Sequence, residues 1–187
     1  MEKKKLYEMS LEELWQLFPI VLVEHQKEWS KWYLEEEKIL KSSIPKINKV
    51  SHIGSTAIHN IWSKPIIDIL LEIPKENNIQ DYKELIISNG YICMLESRER
   101  MSFNKGYTEN GFDERVFHLH LRYVGDNDEL YFRDYLNERI DVAKEYEKLK
   151  LLLWKEFEYN RDGYTKAKTE FVQKYTAQAK EKYGNRY

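Results

Sequence analysis

Three groups of residues in this 187-residue chain have the types and spacing that phosphate or metal chemistry requires. The first is Gly54-Ser55, followed thirteen residues after Ser55 by Asp68. A Gly-Ser turn exposes backbone N–H groups and a hydroxyl, which hold phosphate oxygens. A carboxylate on an adjacent strand holds the divalent ion that bridges such phosphates. Asp68 lies in the apolar run 66–73, where a charge is costly unless it is paired or metal-bound. Two readings of it stay open. It is a metal ligand, or it accepts hydrogen bonds from the Gly-Ser loop or an ion pair from Lys64.

The second group is His118-Leu119-His120. Strand periodicity puts both imidazoles on one face, about 6.6 Å apart along the chain, with Arg122 on the same face. Two such histidines share a metal or hold a phosphate; each is also an ordinary polar core residue when alone. The third group is Arg98, Arg100 and Lys105, alternating with Met101 and Phe103. Arg98 and Arg100 share parity and so could clamp a phosphate or carboxylate, although charges on a solvated edge strand look the same.

These residues need a scaffold, and the pattern of the chain supplies one. Ser10 and Glu13 form a capping box that opens a helix to Phe18, stopped by Pro19. Residues 20–23 read as a short strand, and 26–40 as an amphipathic helix carrying Trp29, Trp32, Tyr33 and Leu40. Strands are expected at 49–53, 66–73, 91–95, 100–105 and 116–124, with a helix between Asn77 and Gly90 and a turn region at Gly106–Gly111. Residues 66–73 read as the central strand, covered on both faces. Helices are expected at 130–136, 142–157 and 165–183, with a break at Asp162-Gly163. Strands in the middle and helices at both ends predict an α+β domain.

Composition narrows the function classes. Thirty basic residues against 32 acidic ones leave a net charge of −2, which disfavours duplex nucleic acid as a partner. The single Cys93 allows no internal disulfide and reads as an inert thiol in a strand. No apolar stretch is long enough to span a bilayer, and the first ten residues lack the apolar run of a signal peptide. The expected setting is cytoplasmic.

Three blocks carry a resemblance: His52-Ile53-Gly54-Ser55-Thr56-Ala57, Lys64-Pro65-Ile66-Ile67-Asp68-Ile69 and His118-Leu119-His120-Leu121. With Phe132-Arg133-Asp134-Tyr135-Leu136 and Ala167-Lys168-Thr169-Glu170-Phe171, the chain resembles the GrpB family over residues 21–175. The resemblance implies one domain: an extra N-terminal helix (1–19), a sheet-containing core (20–125) and C-terminal helices (126–187). It implies a nucleotidyltransferase-like fold and a bacterial setting. Some family members join this domain to a dephospho-CoA kinase; this chain has no Gly-rich loop ending in Gly-Lys-Ser or Gly-Lys-Thr.

On a phosphate-transfer reading, Gly54, Ser55, Lys64, Arg98, Arg100 and Lys105 would bind phosphate. Asp68, His118 and His120 would carry catalysis and a divalent metal, with Mg²⁺, Mn²⁺ and Zn²⁺ as candidates. One position departs from the pattern. Active nucleotidyltransferases place a second acid two residues after the first, so that two metals are clamped on one strand face. Here that position is Leu70. Either the metal site is rebuilt from Asp68 and the histidines, or catalysis is lost and binding kept. Two functions follow: nucleotidyl or phosphate-group transfer to a small molecule, and non-catalytic binding of a nucleotide- or CoA-like ligand.

Overall fold

The computed structural model describes residues 4–187. Its centre is β2 (Ile66–Ile73), whose apolar residues are buried on both faces. β1 (Lys49–Ile53) pairs with it antiparallel, and β5 (Gly111–Tyr123) pairs with it in parallel. β4 (Arg100–Thr108) and β3 (Ile92–Glu96) complete a five-stranded sheet of order β1-β2-β5-β4-β3. The expected strand at 20–23 is replaced by a single bridge between Val23 and Ser63. Ile20 N donates instead to Glu158 O at 2.8 Å.

Period-2 alternation divides the sheet by chemistry. Ile67, Ile69, Leu71 and Ile73 share one face with Phe117, Leu119 and Leu121. That face is covered by α2 (Glu28–Ser43), through Trp29 and Leu40, and by α3 (Lys83–Ile87), through Ile86. The opposite face presents Asp68, Leu70 and Glu72 level with His118, His120 and Arg122. Polar groups on an inner face require partners, and the C-terminal helices bring them.

Before the sheet stands α1 (Leu11–Leu17), opened by the expected capping box: Ser10 and Glu13 exchange side-chain-to-backbone hydrogen bonds. After the sheet come α4 (Asp128–Glu138), α5 (Ile140–Phe157), α6 (Arg161–Ala167) and α7 (Thr169–Tyr183). Asp162 and Gly163 do not break a helix but lie inside α6. The chain turns earlier, where Asn160 caps α6 by accepting from Gly163 N at 2.8 Å. A larger residue is disfavoured at 163, because a Cβ would lie 2.7 Å from the ring of Phe157.

One irregularity re-aims a side chain. The β4–β5 register shifts between Lys105 and Tyr107, at Gly106 with φ +88°. A regular strand would leave Tyr107 on the face of Lys105. Between the pairs Lys105–Phe117 and Tyr107–Phe112, β4 advances two residues and β5 five, and this irregularity turns Tyr107 to the face of Phe112 and His118. No helix among the described residues is long and apolar enough to cross a membrane.

Candidate functional site

The polar sheet face opens into a cleft of about 720 Å³. Its floor is Gly54, Ser55, Ile66, Asp68 and His118, and its walls come from α4 to α7. The parallel register sets Asp68 beside His118, which is why two residues fifty positions apart meet. Gly54 ends β1 with φ +70°, and a Cβ there would fall 2.2 Å from Asp68 Oδ2. Only glycine lets the turn lie against that carboxylate.

The loop after the turn is pinned from the helices. Asn137 accepts from His59 N and donates to Ala57 O, and Glu147 accepts from Trp62 N at 2.7 Å. Lys150, 1% exposed, donates to Trp62 O and to Ser63 Oγ. These contacts hold Ser55 and Lys64 over the cleft floor.

Asp68, His118 and His120 form one cluster. Asp68 Oδ1 is 3.3 Å from His118 Nδ1 and 3.7 Å from His120 Nε2. Burial alone would push the Asp68 carboxyl up, but its contacts with the two imidazoles prevail and hold it well below the usual range. For His118, burial outweighs the attraction of Asp68, and nearby Lys64 and Arg161 add to the downward shift. The pair is therefore a carboxylate with a neutral imidazole.

Hydrogen-bond chemistry then fixes the tautomer. Arg161 carries only donors, so its 2.9 Å contact makes the Tyr107 oxygen an acceptor. Because the Asp68 carboxylate only accepts, neutral His118 carries its hydrogen on Nδ1 toward Asp68, which leaves Nε2 to accept the phenol hydrogen at 2.8 Å. The chain Asp68–His118–Tyr107–Arg161 engages both ring nitrogens.

Cations dominate the walls. Lys64, Lys150, Arg161 and Lys168 line the cleft, and none has a carboxylate at ion-pair distance among the described residues. Desolvation and the charges of Lys168 and Arg161 lower Lys64 to about 7. Desolvation lowers Lys168 to about 8 and carries Lys150 well below its ordinary value. Lys168 sits 4.2 Å from the Tyr164 ring centroid, with Lys64 at 5.4 Å from the same ring. Several like charges held this close favour an anion among them.

The carboxylates of the cleft are Asp68, Asp128, Glu129 and Asp162. Asp128 is paired with Lys180 at 2.5 Å. Leu70, fully buried, packs with Ile53 and Leu130 in place of a second acid. Glu72 is buried farther along the strand and accepts from Asn127 Nδ2 at 3.0 Å. Among the described residues no three His, Cys, Asp or Glu side chains are grouped to hold a metal ion. The residues do not fit the paired-carboxylate metal site that the resemblance implies.

Of the residues singled out in the sequence, Gly54, Ser55, Lys64, Asp68 and His118 line the cleft; His120 touches Asp68 without lining it. The third basic group lies elsewhere. Arg100 makes two 2.7 Å hydrogen bonds to Asp126, Lys105 is paired with the buried Glu36 at 2.8 Å, and Arg98 is exposed between β3 and β4. Arg122, on the histidine face, donates to Met101 O and Leu121 O. Tyr107, Lys150, Arg161 and Lys168 were not legible as site residues, although a lysine amid Leu149, Leu151, Leu152 and Leu153 was a signal.

Comparisons with known proteins bear on the family and the fold. The model of the family described as GrpB protein matches residues 19–178. This chain belongs to the GrpB family. A glutamate-rich protein GrpB of Alkalihalophilus pseudofirmus is 32% identical over 162 residues, covering 82% of this chain and 91% of that protein. The UPF0157 protein YqkA of Bacillus subtilis is 31% identical over 157 residues; the match covers 82% of this chain and 45% of YqkA, so the chain spans less than half of that relative. Among solved structures, the conserved protein GrpB from Enterococcus faecalis superposes with a TM-score of 0.74 at 29% identity, covering 87% of this chain and 99% of that one. The Cid1 poly(U) polymerase with Mg 3′-dATP bound reaches a TM-score of 0.50 at 12% identity, covering 84% of this chain and 51% of that one, a likeness of fold. The GrpB chain described here is thus an α+β protein with nucleotidyltransferase-like neighbours.

Proposed function

We propose that this GrpB protein binds a phosphorylated, nucleotide-like small molecule in the cleft between the sheet and the C-terminal helices. The observation that carries the reading is the set of four basic side chains without carboxylate partners among the described residues, Lys64, Lys150, Arg161 and Lys168, around the Gly54-Ser55 turn. The cleft volume of about 720 Å³ lies within the range of small-molecule sites. Phe132, Tyr146 and Tyr164 give it aromatic walls against which a planar base can lie. A thermal-shift screen of nucleotides and coenzyme A derivatives, with and without Mg²⁺ or Mn²⁺, tests it. Stabilisation by phosphorylated compounds, reduced in Lys64→Ala and Lys168→Ala, is expected; a screen without any such stabilisation overturns the reading.

A second reading, group transfer, is favoured by the approach of the Gly54-Ser55 turn to Asp68. In it Asp68 would take the proton of an acceptor hydroxyl as the acceptor oxygen attacks phosphorus and pyrophosphate leaves. A carboxylate held well below its usual range is a weak base, and Leu70 removes the second acid. Binding is therefore the conclusion. Pyrophosphate release on incubation with nucleoside triphosphates and hydroxyl-bearing acceptors would establish transfer instead.

A further inference from the structure

The same cleft identifies the form in which its ligand arrives. Metal-dependent phosphate sites use carboxylates to hold a divalent ion, which in turn neutralises the phosphate oxygens. Here the Asp68–histidine set is engaged within the protein, and among the described residues Glu129 and Asp162 join no group of three possible ligands. His118 has one ring nitrogen toward Asp68 and the other on Tyr107. Asp68 Oδ1 faces two imidazoles, and its Oδ2 is walled by the Gly54 backbone. Leu70 stands where a second carboxylate would complete the set. The neutralising charge comes instead from side chains, which deliver hydrogen bonds to phosphate oxygens directly.

We propose that the cleft takes the phosphate chain of a nucleoside polyphosphate free of divalent metal, with Lys64, Arg161 and Lys168 supplying the charge that an ion supplies elsewhere and Lys150 holding the loop that carries Lys64. The inference rests on the binding reading above and specifies the ligand's chemical state. A chelated ion would lower the charge of the phosphate chain and bring a further cation among Lys64, Arg161 and Lys168. Metal therefore competes with the site for the ligand. The partly protonated lysines complete their protonation as the anion enters, since its charge offsets their mutual repulsion.

Calorimetric titration of the full chain with ATP and with inorganic tripolyphosphate, once in EDTA and once in saturating Mg²⁺, tests the proposal. Binding in EDTA, weakened about tenfold or more by Mg²⁺, is expected. Lys168→Ala should weaken binding in EDTA about tenfold, the loss of one charged hydrogen bond. Asp68→Asn should tighten it, because a negative charge leaves the anion site. Binding of ATP that appears only with Mg²⁺, or that Asp68→Asn abolishes while the variant stays folded, overturns metal-free recognition and leaves the binding reading standing. Absence of binding of either probe in both buffers overturns the binding reading and this proposal with it.

Discussion

Gly54 and Asp68 are packed so closely that no side chain fits between them: a Cβ on the glycine would meet Oδ2 at 2.2 Å and Cγ at 2.8 Å. The contact joins the end of β1 to the carboxylate on β2, whose Asp68 is registered against Ile53. Gly54→Ala must therefore displace Asp68 or the turn, and it also forces a left-handed φ on an L-residue. A loss of about 1–3 kcal/mol in unfolding free energy is expected, measured by urea denaturation. Phosphate-ligand affinity should fall in the same variant, because the Ser55 N–H moves with the turn.

Tyr107→Phe removes one oxygen and keeps the ring packed on Phe18 and Phe112. Arg161 then loses its acceptor and His118 Nε2 its donor. The expected cost is about 1–3 kcal/mol from buried polar groups left unpaired. The sharper readout is nitrogen NMR of His118. The wild type should show a single tautomer with hydrogen on Nδ1, and the variant a mixture. A wild-type spectrum with hydrogen on Nε2 would contradict the chain of donors described above.

The core of this fold was readable because β2 is a mostly apolar run entered after Pro65 and β1 runs into the Gly54-Ser55 turn; their bounds at Lys49–Ile53 and Ile66–Ile73 match the expected 49–53 and 66–73. The convergence of Asp68 with His118 was readable for the same reason, since strand parity fixes faces. The other half of the cleft was not. Lys150, Arg161 and Lys168 lie on helices, and which face of a helix meets a distant sheet depends on packing that one sequence does not display. Tyr107 was hidden by Gly106, which reads equally as a turn or as a bulge, and only the bulge brings the phenol to His118. Arg100 and Lys105 show the reverse error. Basic residues on a strand resembled a clamp until Asp126 and Glu36 appeared as their partners.

Phe171→Ala tests how the last helix is attached. An apolar stripe at Phe171, Val172 and Tyr175 predicts a buried face, and Tyr175 is indeed 8% exposed. Phe171 is half-buried, stacked on Tyr146 at 5.2 Å and tilted against Tyr175 at 4.5 Å. Its truncation should cost about 1–2 kcal/mol, below the ~3–5 kcal/mol of a fully buried phenylalanine. Because Tyr146 also walls the cleft, ligand affinity should fall modestly in the same variant, measured beside the melting temperature.

The lysines make a prediction about pH whose sign follows from linkage. Lys64 titrates at about 7 and Lys168 at about 8 in the folded chain, against 10.5 when unperturbed. Between those values the unfolded chain binds more protons than the folded one, so stability rises with pH. Below pH 7 all forms are protonated, and the full destabilisation is present and constant. The rise should span pH 7 to about 10. Above that the buried tyrosines, among them Tyr146 at about 12, retain protons in the folded state and reverse the slope. At the acid end His52, lowered to about 4 chiefly by burial, gives a second rise between pH 4 and 6.5. Asp68, held low by its imidazoles, adds a loss as pH falls below the ordinary carboxylate range. Urea midpoints measured from pH 6 to 10 should therefore climb in the wild type and climb less in the double variant Lys64→Met, Lys168→Met, where Lys150, carried well below its ordinary value by burial, still contributes. Saturating tripolyphosphate should flatten the wild-type curve too, because a bound anion raises both lysines back toward their unperturbed values. Midpoints that fall from pH 7 to 9 in the absence of anions would show that the lysines are fully charged in the empty cleft and that their repulsion is not what prepares it for phosphate.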